Sequence, residues 1–460
     1  MTCERLSALD AAFLAVEGPS APMHVGWVAV FDPPDNRCRP GFPELYEHIA
    51  GRLDRAPRYR QRLAGVPLGL HLPVWVDDAG FDPAAHLLRA DGEDLTALVD
   101  TILSSPLERD RPLWEIWIAD ALPEGGLALV GKMHHCMVDG VAVAELGELL
   151  LGPKSDVSGG ASPDERGGWS QAPAPSRGER LVRGLVDRVA DGAALALAPV
   201  RLVGSPSRVL GLPGAVVGGA RTLAHALLPP APGSPFNRPG SAQRHHVRVT
   251  RSVDDLRTLR RRFGVTPNDV VLAACAGALR RFAERRGEAP QRLKVMVPAD
   301  VRSQTDSAGT GNRISFLFIE LPCEEPDPVA RLKGIHRATA QRERDGEAED
   351  LDAALGALAL TPGPVQWALA HAFAHPRLFN LTISTMAGPA VPRYLGGCRL
   401  REAYSAVPLT GHHALSIGVV TVDGRACFGI YADALTLPDA DALGSDLESS
   451  LDELLAAARP

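Results

Sequence analysis

Apolar residues recur along this chain with two periods, and the switching between them lays out its elements. Val25 to Phe31, Trp114 to Ile118 and Leu127 to Val130 are apolar runs of strand length. Pro43 to Asp54 and Leu95 to Leu103 instead repeat at helical spacing. The alternation stops at residues 152–176, where Gly, Pro and Ser predict a linker. It resumes after residue 235. A strand at His246 to Val249 leads into a helix at 252–263, strands follow at 414–422 and Arg425 to Tyr431, and a helix occupies 438–458. Thr266 reads as an N-cap, with Pro267 at the first helical position and Asp269 at the third, close to a capping box. Val270 to Leu279 is apolar on all sides, which predicts a buried helix. Strands and helices mixed through two halves argue for an α/β (α+β) chain. The expected units are an N-terminal domain at 1–151, a linker and crossover at 152–235, and a C-terminal domain at 236–460.

The crossover has its own pattern. Leu181, Val182, Leu185, Val186 and Val189 recur at helical spacing, with Arg177, Arg180, Arg183 and Arg188 over much of the remaining surface. A second stretch from Val209 to Leu228 has Arg221 and almost no acids. A basic amphipathic helix too short to span lies in a membrane interface, or else packs on the protein as a crossover. Both readings stay open at this point.

Composition narrows the classes. At 460 residues there is room for two domains. Hydrophobic content of 45% and charged content of 22% are ordinary for a globular chain. A net charge of −7 gives no electrostatic footprint for nucleic acid. The 7 cysteines form no CxxC pair, which fits a reducing, cytoplasmic setting better than a disulfide framework. No signal-peptide pattern and no apolar run of spanning length is read.

The chemistry concentrates in Lys132-Met133-His134-His135-Cys136-Met137-Val138-Asp139-Gly140, an HHxxxDG pattern after the strand at 127–130 and before the helix-like Val141 to Leu146. A histidine titrates near neutrality and can take a proton from a hydroxyl or thiol. Adjacent residues at a strand end point to opposite faces, so one histidine serves a given cavity. His135, next to the turn, is the candidate base; His134 is expected to point inward and hydrogen-bond there. Asp139 braces the turn, and Gly140 permits it. Two ordinary histidines beside a turn aspartate would be the plain alternative, but the complete pattern in its strand-to-helix setting argues for chemistry.

The HHxxxDG run resembles the signature of the chloramphenicol-acetyltransferase-like superfamily of acyl transferases. Other segments narrow the resemblance to bacterial wax ester synthase/diacylglycerol acyltransferases. They are Leu6 to Phe13 with Pro22 to Gly26, Arg111-Pro112-Leu113-Trp114-Glu115, Asn268 to Ala273, Val297 to Arg302, Gly311 to Phe316, Gly388-Pro389, Tyr394 to Gly397 and Phe428-Gly429. Departures occur at Ser384 to Pro389, at Trp27 where a small residue is usual, and at His412-His413. They put the acceptor and chain-length preference in question.

The resemblance implies two sandwiched domains with the active-site channel between them. It implies acyl-CoA as co-substrate, no bound cofactor, and diacylglycerol or a long-chain alcohol as acceptor. Asp139 would be structural, with Arg302 as partner. Asn268 and Asp269 would stabilise the oxyanion or shape the site, or simply cap the helix. Pro112, Leu113 and Trp114 would line the channel. Peripheral contact with a lipid droplet or inner membrane surface is the expected partner interaction. No metal site is read, since adjacent histidines diverge and no zinc-like interval occurs. GxSxG, GxGxxG and P-loop patterns are absent. Two alternatives remain: an acyltransferase acting on a natural-product hydroxyl or amine, with a carrier protein as a candidate acyl source, and a catalytically silent lipid-droplet coat protein.

Overall fold

The computed structural model describes residues 4–34, 39–123, 126–137, 146–153, 172–203, 228–300, 314–348, 351, 361 and 363–459. The first half supplies α1 (Ala8–Val16), β1 (His24–Asp32), α2 (Phe42–Ala50), β2 (Gln61–Ala64), β3 (Val74–Asp77), β4 (Leu87–Arg89), α3 (Leu95–Ser104), β5 (Trp114–Ala119) and β6 (Leu127–His134). A long helix, α4 (Arg177–Val203), lies in the crossover. The second half continues with β7 (Arg244–Ser252), α5 (Val253–Phe263), α6 (Pro267–Arg285), β8 (Leu293–Asp300), β9 (Ile314–Leu321), α7 (Pro328–Arg344) and α8 (Gly363–Phe373). It ends with β10 (Leu381–Ala387), β11 (Tyr394–Leu395), β12 (Cys398–Ala406), β13 (Leu415–Val422), β14 (Arg425–Asp433) and α9 (Ala440–Ala458).

Two six-stranded sheets organise these elements. One runs β11-β12-β1-β6-β5-β4 and the other β7-β14-β13-β10-β8-β9. The mixed α/β architecture is the one expected. In the second half α6 is buried along its length, from Val270 to Leu279, between the sheet and the helices α5, α7 and α9. Its start follows the sequence reading. Thr266 Oγ1 accepts from the Asp269 N–H at 3.1 Å, and Asp269 accepts from the Thr266 N–H at 2.8 Å.

The sheets do not respect the division of the sequence. Tyr394–Ala406, inside the unit expected at 236–460, crosses over, and β12 pairs antiparallel with β1 from Gly26↔Ala406 to Asp32↔Arg399. The first sheet is therefore incomplete without the second half. At this crossing the facing glycines Gly418 and Gly429, in register on β13 and β14, leave room for Ser405 of β12.

The helix α4 forms where the apolar spacing predicts, but its apolar stripe is turned outward. Val182, Leu185, Val186 and Val189 are exposed, whereas Gly184 lies against Val66 and is buried. Arg188, expected on the outer surface, is directed inward, and its Nε donates to the Leu70 carbonyl at 3.0 Å. Arg180 donates to the Pro175 carbonyl at 3.2 Å, which leaves Arg177 and Arg183 as the exposed cations of the four. Among the described side chains of α4, Gly184 and Arg188 meet the protein and most of the apolar stripe does not. The second basic stretch lies, apart from Leu228, outside the described residues.

Candidate active site

The histidine pair is delivered by β6, which is buried along its whole length. Lys132 ties this strand to the end of α3. Its buried ammonium donates to the carbonyls of Ile102 at 3.1 Å and Ser105 at 3.0 Å and to Ser105 Oγ at 2.6 Å, and it pairs with Glu115 at 3.1 Å. Helix C-termini favour a cation. Burial pushes the lysine pKa down, and Glu115 opposes the shift.

His134 closes the strand. Its backbone N–H donates to Leu113 O at 2.9 Å, and its Nδ1 accepts from the Cys136 N–H at 3.1 Å. The ring proton of the neutral form therefore sits on Nε2. The Glu17 carboxylate is 3.8 Å from Nε2, beyond hydrogen-bond reach, and already pairs with Arg109. Burial, reinforced by Arg109, His24 and His135, holds His134 well below the usual imidazole range. Burial thus outweighs the nearby carboxylate, and His134 stays neutral and inward.

His135 opens the turn and is only half-buried. Its backbone N–H donates to Met23 O at 2.9 Å, and its ring lies on Phe13 of α1, centroids 3.7 Å apart at 15°. Met23 is buried with φ of 49°. A left-handed backbone at a non-glycine residue costs roughly 1–3 kcal/mol and persists where the surroundings over-determine it, often at functional sites. Phe13 and Met23 also line an apolar cleft of about 150 Å³. Its far side is formed by Leu369 and Phe373 of α8, Met296 of β8 and Phe316 of β9. One face of Phe13 thus braces the imidazole while the helix that carries it walls the cleft, which joins both halves of the chain.

At the start of α6, Thr385 Oγ1 of β10 donates to Asn268 Oδ1 at 3.2 Å, which orients the amide and leaves the Nδ2 hydrogens for another acceptor. Asp269 differs. It is fully buried and accepts from Thr339 Oγ1 at 2.6 Å and His336 Nδ1 at 2.7 Å besides the Thr266 N–H. A carboxylate so occupied cannot donate to an oxyanion; it pins α6 to α7. Burial would raise its pKa, but the bonds from Thr339, Thr266 and His336 outweigh burial and hold it below the usual carboxylate value. Asp269→Ala is expected to cost about 3–5 kcal/mol in a thermal melt, because buried donors lose their acceptor. Its depressed folded pKa makes its contribution present above about pH 4 and lost as the pH falls through that lowered value. The acid limb of stability should therefore flatten in the variant.

The remaining sequence candidates are placed as follows. Pro112, Leu113 and Trp114 are buried and do not line the cleft. Trp114 donates through Nε1 to Tyr59 O at 2.7 Å and stacks on His86 at 4.7 Å. Leu113 and Trp114 pack in the first core beside the histidine strand. Asp139, Gly140, Arg302 and the segment Val141 to Ala144 lie outside the described residues. Trp27 is half-buried opposite Gly131 in the β1–β6 register, and its ring fills the space that glycine leaves. The other histidine pairs are structural. His245 bridges Asp100 at 2.6 Å and Asp441 at 3.0 Å, and His413 stacks on Phe379 at 4.0 Å. Among the described residues no group of three His, Cys, Asp or Glu side chains gathers as a metal site. Sequence reasoning gave no role to Phe13, Met23 or Glu17. Phe13 and Met23 lie in the family-like opening segments and Glu17 lies between them, but a stacking partner far along the chain leaves no local mark.

Two family models cover most of the chain. The wax ester synthase/diacylglycerol acyltransferase catalytic domain matches residues 6–271, and the corresponding C-terminal domain matches 310–455. The chain belongs to the wax ester synthase/diacylglycerol acyltransferase family. A Mycobacterium tuberculosis protein named as a diacylglycerol O-acyltransferase is 33% identical over 98% of this chain and 90% of its own length. Another from the same species is 33% identical over 99% of this chain and 98% of its own. Among solved structures, the wax ester synthase/diacylglycerol acyltransferase from Marinobacter aquaeolei VT8 superposes with a TM-score of 0.70 at 23% identity, covering 99% of both chains. A mutant starter condensation domain of rhizomide synthetase in complex with C8-CoA and Leu-SNAC gives 0.58 at 16% identity, covering 99% of this chain and 94% of that one. These likenesses show the fold that the chain shares with both proteins.

Proposed function

We propose that His135 is the general base of the acyl transfer that this family performs, with acyl-CoA as donor and diacylglycerol or a long-chain alcohol as acceptor. The observation that carries this reading is the half-buried imidazole stacked on the Phe13 ring beside an apolar cleft, with its backbone held by the Met23 carbonyl. His135 takes the hydroxyl proton as the acceptor oxygen attacks the thioester carbonyl. The tetrahedral oxyanion collapses, the C–S bond breaks, and the proton passes to the leaving thiolate, so that an ester and free coenzyme A result. Both substrates meet at one base, so no acyl-enzyme is required. The Asn268 amide is the candidate donor to the oxyanion, and the positive end of α6 adds to it. Apolar walls accommodate the hydrocarbon and exclude water from the ester. The enzyme acts in the cytoplasm as a peripheral protein on a lipid droplet or inner membrane surface. No helix among the described residues is long and apolar enough to cross a membrane.

The test is thiol release from palmitoyl-CoA with diacylglycerol, with hexadecanol, with small polar alcohols and amines, and with no acceptor. Acceptor-dependent release confined to the first two supports the reading; release only with polar acceptors, or none at all, overturns it. Phe13 has a separable prediction. Phe13→Ala should lower kcat by about 10- to 100-fold, since a base displaced by a fraction of an ångström loses much of its rate, and Phe13→Tyr should restore most of it. Equal turnover in the Ala and wild-type proteins would show that the stack does not position the base.

A further inference from the structure

Three elements that carry exposed apolar side chains meet at one inward-facing arginine. Arg188 of α4 donates to the Leu70 carbonyl, and its guanidinium lies beside Gly363, where a Cβ would be 3.8 Å from Nη2. Three segments therefore meet at Arg188: the inner side of α4, the loop at 66–70, and the start of α8. Each also carries apolar groups exposed to solvent. Val186 and Val189 of α4 are 60% and 73% exposed, Leu68 at the loop tip 88%, and Trp367 of α8 56%. Leu68 also holds a φ of 61°, a conformation that glycine would adopt at no cost. A water-exposed leucine kept there gains nothing in an aqueous fold. On α4 the exposed cations are Arg177 and Arg183; of its acids Glu179 caps the helix start through Ser176, and the half-exposed Asp187 lies 3.8 Å from Arg5.

The patch also leads somewhere. Trp367 and Val365 face solvent, whereas Gln366, Leu369, Ala370 and Phe373 of the same helix line the cleft beside Phe13. A single helix thickness separates the exposed apolar surface from the apolar interior.

We propose that Leu68, the outer face of α4 and Trp367 form one docking surface for an anionic lipid layer, and that α8 is the wall across which the hydrocarbon acceptor enters the cleft. The apolar tips insert among acyl chains, and the exposed arginines meet anionic headgroups. The entry route rests on the lipid-acceptor reading above; the docking itself does not.

The experiment uses the full-length chain and vesicles of equal parts phosphatidylcholine and phosphatidylglycerol. Leu68→Ser, Val186→Ser, Val189→Ser and Trp367→Ser combined should weaken flotation at least about tenfold, because exposed apolar area is what the bilayer buries. Arg177→Gln with Arg183→Gln should remove the salt-sensitive part of binding. Transfer to vesicle-borne diacylglycerol should fall in parallel with flotation, while thiol release with a short soluble alcohol stays within twofold of wild type. Flotation of the quadruple variant at wild-type level overturns the docking surface. A wild-type dimer that the same substitutions make monomeric also overturns it, in favour of a second copy of the chain. Lost flotation with unchanged transfer from vesicles overturns the entry route alone. If no variant, wild type included, uses diacylglycerol, the acceptor reading fails while flotation still decides the surface.

Discussion

His135→Ala should lower acyl transfer by about 10²–10⁴-fold in a protein that melts like wild type. The two halves of this expectation have separate causes. The backbone bond from residue 135 to Met23 O does not involve the side chain and survives the change. What disappears is the half-buried imidazole and its stack on Phe13. The neighbouring histidine gives the contrast. His134 is buried, and its Nδ1 accepts the Cys136 N–H. His134→Ala leaves that N–H without its acceptor and opens a void, so it should cost about 1–3 kcal/mol of stability. Thiol release and thermal melts on both variants separate base from brace. Near-wild-type turnover in folded His135→Ala would sink the assignment, and a stable, inactive His134→Ala would transfer it to the other ring.

What the sequence made legible was local. The Thr266–Asp269 capping box, the all-round apolar helix after it, and the helix starting after Ser252 depend on residues within a few positions of one another. The apolar run of the histidine strand stops at Val130 while the strand runs on to His134, because Lys132 is a charged residue whose burial depends on α3 and Glu115. Periodicity also gave the two faces of α4, but not which one meets the protein. That choice is made by Gly184, whose lack of a side chain lets Val66 approach, and by the inward bond of Arg188. Trp114 shows the same limit from another side. A tryptophan in a family-like motif reads equally well as channel wall or core, and only its bond to Tyr59 O and its stack on His86 decide for core. The crossing of Tyr394–Ala406 into the first sheet was out of reach, since strand pairing across most of the chain length leaves no trace in local spacing.

That crossing carries the second large expectation: Gly429→Ala should destabilise the protein by about 3 kcal/mol and lower activity with it. Gly429 faces Gly418 in the β13–β14 register, and Ser405 of β12 sits over the pair. An added Cβ at 429 would fall inside the contact distance of the Ser405 carbonyl oxygen and 2.9 Å from Nε2 of His246. Neither neighbour can yield cheaply. The oxygen belongs to the backbone of a strand paired with β1, and His246 is a buried ring whose Nε2 is 3.4 Å from that same carbonyl. Overpacking against side chains costs about 1–3 kcal/mol, and a backbone obstacle belongs at the upper end. Relief requires the sheets to separate, and Ser405 is paired with Trp27 on β1, the strand that begins next to Met23. A shift there reaches the carbonyl that holds His135. Gly192→Ala is the matching control, because open space surrounds that glycine within α4 and a helical Gly→Ala change gains up to about 1 kcal/mol. Thermal melts should place Gly429→Ala well below wild type and Gly192→Ala at or above it. If the two variants melt together, the glycine pair is not what lets the sheets meet, and their contact must be fixed elsewhere along β12.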